Sequence, residues 1–247
     1  MIIPKATPGI IKLDLFERSK YFFLQLANQT KRKDNGEKFI GRSALEESGF
    51  IVEPFWETPG DMEGDTYHGY IEEHPEFDLM VREGVFKRLV NARRLLPNSW
   101  NLVLKAGFRP YNVQLELLDA FIENSKLENP NYTEEEHLEQ ARTYIADPRI
   151  GCPPHVTGGA VDVDVKDTTT GKYIDMGCIP NTDHEISFLH SDLVTPEQRA
   201  NREVLLKAML KVGFSPNPNE WWHYQYGDTI WAAFYGHEET LYDLVTQ

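Results

Sequence analysis

Three short runs of this 247-residue chain gather side chains that can do hydrolytic chemistry. The first is HVTGGAVDVDV, from His155 to Val165. Side chains of a strand alternate between its faces, so Asp162 and Asp164 share one face. Val161, Val163 and Val165 take the other, which is the face expected to be buried. Two neighbouring carboxylates repel unless a cation or a donor neutralises them. The Gly158-Gly159 turn lets His155 fold back over Asp162, and a histidine with an aspartate is half of a zinc site. Read alone, the run is equally a solvated strand edge with a surface histidine.

The second run is EWWHYQYGD, in which Glu220 and His223 lie three residues apart. A hydrolytic zinc site takes three protein ligands and leaves the fourth position to water, with an unligated carboxylate nearby to take that water's proton. His223 can be the third ligand and Glu220 the base. Alone, WWHYQY also reads as an aromatic core strand with a hydrogen-bonded histidine. The third run is AGFRPY, where Pro110 fixes Arg109 at the end of a strand. A guanidinium projecting into a cleft there would stabilise the oxyanion formed when water attacks a carbonyl. No other histidine has ligand spacing, and His137 is expected to face solvent from an acidic helix.

The elements that must position these residues follow from periodicity. An amphipathic helix is expected over Asp14–Gln29, followed by a polar loop. Residues 51–75, rich in Pro, Gly, acids and aromatics, read as a long irregular connection. Val81, Val85, Leu89, Ala92 and Leu96 recur at helical spacing, which predicts a helix over 76–96 stopped by Pro97. NLVLKAGF alternates as a strand, and YNVQLELLDAFIE begins a second helix. Thr133 with Glu136 forms a capping box ahead of a third. GAVDVDV is the clearest strand. Thr195-Pro196 with Gln198 opens a helix that Gly213 closes, and WWHYQY has the composition of a last strand. The order predicts an α+β fold, a single domain with a small antiparallel sheet flanked by helices. Residues 1–75 are expected to form an N-terminal extension and loops packed on that domain, and 76–247 its catalytic core.

Composition limits the function classes. With 25 Lys+Arg against 39 Asp+Glu the net charge is −14, which disfavours nucleic acid and anionic membrane surfaces as partners. Apolar residues are 40% of the chain, too many for disorder. The longest apolar-rich run, Tyr21 to Ala27, is about a third of the ~20 residues a membrane span needs. The first residues do not read as a signal peptide, so a cytoplasmic location is expected, or a periplasmic or secreted one if the natural chain carries a leader. Two cysteines, Cys152 and Cys178, cannot form a disulfide framework; one bridge between them is open, and two free buried thiols are the expected state in a reducing compartment.

The order GFRPY, HVTGGAVD, EWWH resembles the D-alanyl-D-alanine dipeptidases of the VanX type, in the zinc D,D-peptidase superfamily that also holds VanY-type D,D-carboxypeptidases. The likeness covers roughly residues 70–230 and includes Asp175-Met176-Gly177. It implies a hedgehog/D,D-peptidase-like zinc peptidase fold and one Zn2+ per chain, held by His155, Asp162 and His223. It further implies Glu220 as the base that later protonates the leaving amine, Arg109 as the stabiliser of the tetrahedral intermediate, and a small peptide as substrate. An aspartate that pairs with the substrate ammonium falls in this family after Met-Gly; here its place is taken by Asn181 or Asp183. Two departures bear on amine recognition: Pro153-Pro154 replaces the serine before the metal histidine, and Lys105-Ala106-Gly107 replaces Asp-Gly before the arginine turn. The expected activity is hydrolysis of D-alanyl-D-alanine or a related D-amino-acid dipeptide in cell-wall peptide metabolism. The alternatives are a D,D-carboxypeptidase trimming longer stem peptides, its cleft open where residues 51–75 would otherwise wall it, and a non-catalytic zinc-containing binding module. The oligomeric state is not encoded in any of these motifs.

Overall fold

The computed structural model describes residues 27, 29–57, 62–182 and 184–246. Five strands form the main sheet: β2 (Ile51–Val52), β4 (Trp100–Ala106), β5 (Ala160–Asp167), β6 (Ser215–Asn217) and β7 (Glu220–Gln225). Their order is β2-β4-β5-β7-β6, antiparallel throughout except that the edge strand β2 runs parallel to β4. A two-stranded ribbon joins β1 (Phe39–Ile40) to β3 (Val81–Arg82). The helices are α1 (Arg42–Glu47), α2 (Met62–Glu73), α3 (Glu83–Arg93), α4 (Tyr111–Glu128), α5 (Glu134–Tyr144), the single turn α6 (Pro154–Thr157), α7 (Pro196–Lys211) and α8 (Thr229–Tyr235). Val161, Val163 and Val165 are completely buried in one core with Leu102, Leu104 and Phe214.

Several elements form where the pattern placed them. Thr133 and Thr195 each accept from the backbone N–H three residues on, and Glu136 and Gln198 return the bond, so both capping boxes are complete. Gly213 follows α7 at φ 96°, a conformation that a side chain would strain. Cys152 and Cys178 are both free. The Asp14–Gln29 helix lies, apart from Ala27 and Gln29, outside the described residues.

Three elements differ from the sequence reading. The helix expected over 76–96 begins only at Glu83. Before it, a 3-10 turn covers Pro75–Phe77 and Leu79 takes φ 41°. The Met80 carbonyl accepts from Phe108 N–H and Arg82 N–H donates to Gly158 O, so backbone groups a helix would use are committed elsewhere. Residues 51–75, read as irregular, contain β2, a 3-10 turn at Phe55–Glu57 and α2. His137 is buried, not solvent-facing, with Nδ1 2.8 Å from Ser125 Oγ.

α7 holds a long loop in place beside the sheet. Arg202, 2% exposed, donates to Met176 O (2.7 Å), Ile186 O (2.8 Å) and Phe188 O (2.6 Å), closing the segment that presents Asn181. Burial pulls its guanidinium pKa down. Replacing it removes a charged donor from three carbonyls, of which Phe188 O keeps the Ser191 N–H, and hydrogen bonds to a charged group are worth about 1.5–3 kcal/mol each. Arg202→Leu should therefore destabilise the fold by about 3 kcal/mol or more, read as a lower midpoint in urea. A midpoint like that of the wild type would remove this role.

Candidate active site

β4, β5 and β7 lie side by side, and the three chemistry-bearing runs sit on them. Asp162 of β5 pairs in register with His223 of β7. Between Leu104 and Ala106 the β4–β5 register shifts, so Lys105 is the extra residue of a bulge and Ala106 comes opposite Asp162. Just beyond, Arg109 N–H donates to His155 O at 3.1 Å, and His155 Nδ1 lies 2.7 Å from Gly107 O. The exit of β4 is thus clipped to the turn that begins β5. That turn ends on Gly158 at φ 73°, where a Cβ would stand 2.4 Å from the Phe39 ring.

The result is a buried trio. His155, Asp162 and His223 are 8%, 4% and 6% exposed, and one ligand atom of each lies within 4.8 Å of the others. Asp162 Oδ1 is 3.0 Å from His223 Nδ1, and Oδ2 is 3.3 Å from His155 Nε2. The two rings meet edge to face with centroids 4.9 Å apart. The solvated-edge reading of this strand therefore does not hold: Asp162 and Asp164 are both buried.

Charge is tightly balanced here. Burial alone would raise the Asp162 carboxyl, but His155 and His223 outweigh it and hold the group well below the usual carboxylate range. Burial also opposes a charged His223, yet the bond to Asp162 and its charge lift that ring to about 9. His155 goes the other way, pushed down by burial against Asp162, with His223 adding to the fall. Arg109 is drawn down to about 10 by burial, against Asp162 and Glu220, so it stays cationic at neutral pH.

The trio opens into a cavity of about 340 Å3 whose wall includes Arg109, Asn181, Glu220 and Trp222. Glu220 keeps 39% of its side chain exposed, and its Oε2 is 3.7 Å from His223 Nδ1. Asn217 Nδ2 donates to that same Oε2 at 2.8 Å. Desolvation pushes the Glu220 carboxyl up, His223 works against this and Asp162 reinforces it. Arg109 Nη1 donates to Gln114 Oε1 (3.1 Å), whose Nε2 donates to Ala146 O (2.7 Å). Among the described residues, the expected site residues other than Asp183 all line this cavity; Asp183 lies outside the described residues.

Sequence reasoning missed several groups. Gln225, 2% exposed, places Oε1 3.0 Å from His223 Nε2. It stands two residues after His223, and period-two alternation could have found it. Gln114 and Asn217 carry no comparable signal. The outer wall also differs from expectation: Arg142 to Ala146 and Pro153-Pro154 supply it, and no described residue of 51–75 lines the cavity.

A His-Asp-His trio with a free carboxylate beside it is a metallohydrolase arrangement. Comparison with known proteins agrees. A family model described as D-ala-D-ala dipeptidase matches residues 69–240. A D-alanyl-D-alanine dipeptidase of Synechocystis sp. is 30% identical over 181 residues, 63% of this chain and 72% of the relative. One of Escherichia coli K12 is 33% identical over 82 residues, covering 33% of this chain and 42% of the relative. A solved structure of VanYB in complex with D-Alanine-D-Alanine aligns with a TM-score of 0.40 at 19% identity, over 64% of this chain and 80% of that one. The chain belongs to the D-ala-D-ala dipeptidase family of peptidases.

The donor set fits a divalent metal on its own chemistry. Gly107 O and Gln225 Oε1 can only accept, so the outward nitrogens of both rings carry the hydrogens. Neutral rings then turn lone pairs inward onto a carboxylate, an arrangement that requires a cation between them. Without metal, the pKa order places that positive charge as a proton on His223. A metal must displace it, so affinity should rise with pH and level off above about 9. Titration calorimetry in buffers of different ionisation enthalpy should find about one proton released per metal between about pH 7 and 8. Uptake without proton release would contradict the assignment.

Proposed function

We propose that this peptidase is zinc-dependent, with one ion per chain held by His155 Nε2, Asp162 and His223 Nδ1, and that it cleaves D-alanyl-D-alanine or a closely related dipeptide. The observation that carries the reading is the convergence of three buried ligand groups beside a carboxylate outside the ligand set. A structural zinc site closes its fourth position with a further protein ligand, whereas here that side faces a cavity. Bound zinc would act as a Lewis acid, lowering the pKa of water toward neutrality and polarising the scissile carbonyl.

The protein's own groups account for the remaining steps. Glu220 takes a proton from the attacking water as the new C–O bond forms. The raised carboxyl pKa suits a base that must afterwards give the proton up. When the C–N bond breaks, the same proton passes to the leaving amine, so the carboxylate is regenerated. Arg109, buried and cationic, faces the charge that develops on the carbonyl oxygen. Arg109's ties to His155 O and Gln114 keep it from turning away.

The names of the curated relatives support the dipeptide as substrate, and a cavity near the lower end of the ~300–1,000 Å3 range of small-molecule sites favours a short peptide. In this reading Asn181, at φ 63° on the cavity wall, or Asp183 two residues on in sequence, meets the substrate's amino end. The two unpaired thiols favour a reducing compartment such as the cytoplasm. Among the described residues, no helix is long and apolar enough to cross a membrane.

Two measurements test this. Zinc-loaded protein given D-Ala-D-Ala and a pentapeptide ending in D-Ala-D-Ala should turn over the dipeptide faster; preference for the pentapeptide would move the activity to carboxypeptidase. Glu220→Gln should keep its zinc and lose roughly 10²–10⁴-fold in kcat. Near-normal turnover in that variant would show that Glu220 is not the base.

A further inference from the structure

We propose that Gln225 is a positioning residue for the metal centre, selecting which nitrogen of His223 is offered to the ion; this rests on the zinc reading above. His223 has two nitrogens, and only one can face Asp162. Nδ1 does so at 3.0 Å, while Nε2 meets Gln225 Oε1 at 3.0 Å. An amide oxygen accepts and cannot donate, so the contact fixes the hydrogen on Nε2 and leaves the Nδ1 lone pair for a metal.

The fold makes room for this contact. Gln225 and His223 are two apart on β7 and so share a face. The long amide must bend back along its own strand to reach the ring, which needs small cross-strand neighbours. They are Ala160 on β5 and Ser215 on β6, both completely buried and both in register with Gln225. Larger side chains at those positions would fill the space the amide occupies. His155 is served in the same way from the backbone, by Gly107 O. The two rings therefore use different devices for one purpose, a main-chain carbonyl for the first and a side-chain carbonyl for the second.

Gln225 reaches the site through the outward nitrogen of His223, so its effect should appear first in metal affinity. The test measures zinc affinity by chelator competition for the wild type, Gln225→Met and Gln225→Glu, alongside the melting temperatures of the zinc-free proteins. Loss of an outer partner of a metal-bound histidine typically costs about 10–100-fold, so Gln225→Met should lose affinity in that range while Gln225→Glu, which retains an acceptor, should not. Zinc-free Gln225→Met, similar in length and apolar, should melt near the wild type. Equal zinc affinity in wild type and Gln225→Met would overturn the proposal while leaving the zinc reading intact. A wild type that takes up no zinc overturns both. Should Gln225→Met fail to fold, cobalt-substituted Gln225→Glu decides: a carboxylate on Nε2–H should shift the visible bands of the ion, and bands identical to the wild type would overturn the proposal.

Discussion

A carboxylate enclosed between two imidazoles inside a sheet needs positive charge beside it, and the architecture follows from that need. Asp162 is almost out of water on the central strand, where an unpaired charge would be prohibitive. The β5–β7 register brings His223 opposite it, and the turn before β5 returns His155 to its other oxygen. Asp162 raises the His223 ring so that it can carry that charge as a proton, and a divalent ion bound by the trio would replace the proton with a stronger charge. Either state requires each ring's outward nitrogen to be satisfied. Gly107 and Gln225 are therefore part of the same electrostatic unit as the ligands.

The same balance extends to Arg109. A buried guanidinium in a protein of net charge −14 is a local exception to an acidic surface, and it is retained by carboxylates on two strands. Asp162 and Glu220 oppose the fall that burial imposes on its pKa, so it remains charged where an isolated cation would be costly. Glu220 gains in turn from Arg109, His223 and the Asn217 amide, which together restrain the rise that desolvation causes. The polarity of the cleft and the stability of the fold thus draw on one set of charges.

Much of the site was legible because its chemistry is written at strand spacing. The alternation of Val161, Val163 and Val165 with Asp162 and Asp164 gave the buried face correctly, although the carboxylate face proved buried as well. Capping boxes at Thr133 and Thr195 were legible because they are local, closed by bonds three residues long. The failures have a common origin in distant backbone bonds. Val81 fits the helical period of Val85 and Leu89, yet Met80 and Arg82 hydrogen-bond to Phe108 and Gly158, and these pairings override it. His137 looked solvated among glutamates but is claimed by Ser125 of the preceding helix. Gln114 and Asn217 are ordinary polar residues in sequence, and only the folded cleft gives them a partner.

The separation of the motifs along the chain has a geometric cause. Antiparallel neighbours place the exit of β4 and the start of β5 at one end of the sheet, so Arg109 and His155 meet although the whole of α4 and α5 lies between them. Pro110 caps α4 immediately after Arg109, and the first turn of that helix brings Gln114 to the same cavity wall. The bulge at Lys105 then matters for aim: it shifts the pairing of β4 by one residue just before the arginine turn, with Ala106 opposite Asp162. Straight pairing would bring Lys105 itself opposite Asp162 and turn successive side chains to the reverse faces. A small residue opposite the carboxylate leaves space for two imidazoles above it, and Gly107 tolerates the Met80 carbonyl that a Cβ would meet at 2.3 Å. The glycine-led arginine turn is therefore a packing solution, since any side chain at 107 would displace both the ribbon strand β3 and the carbonyl that orients His155.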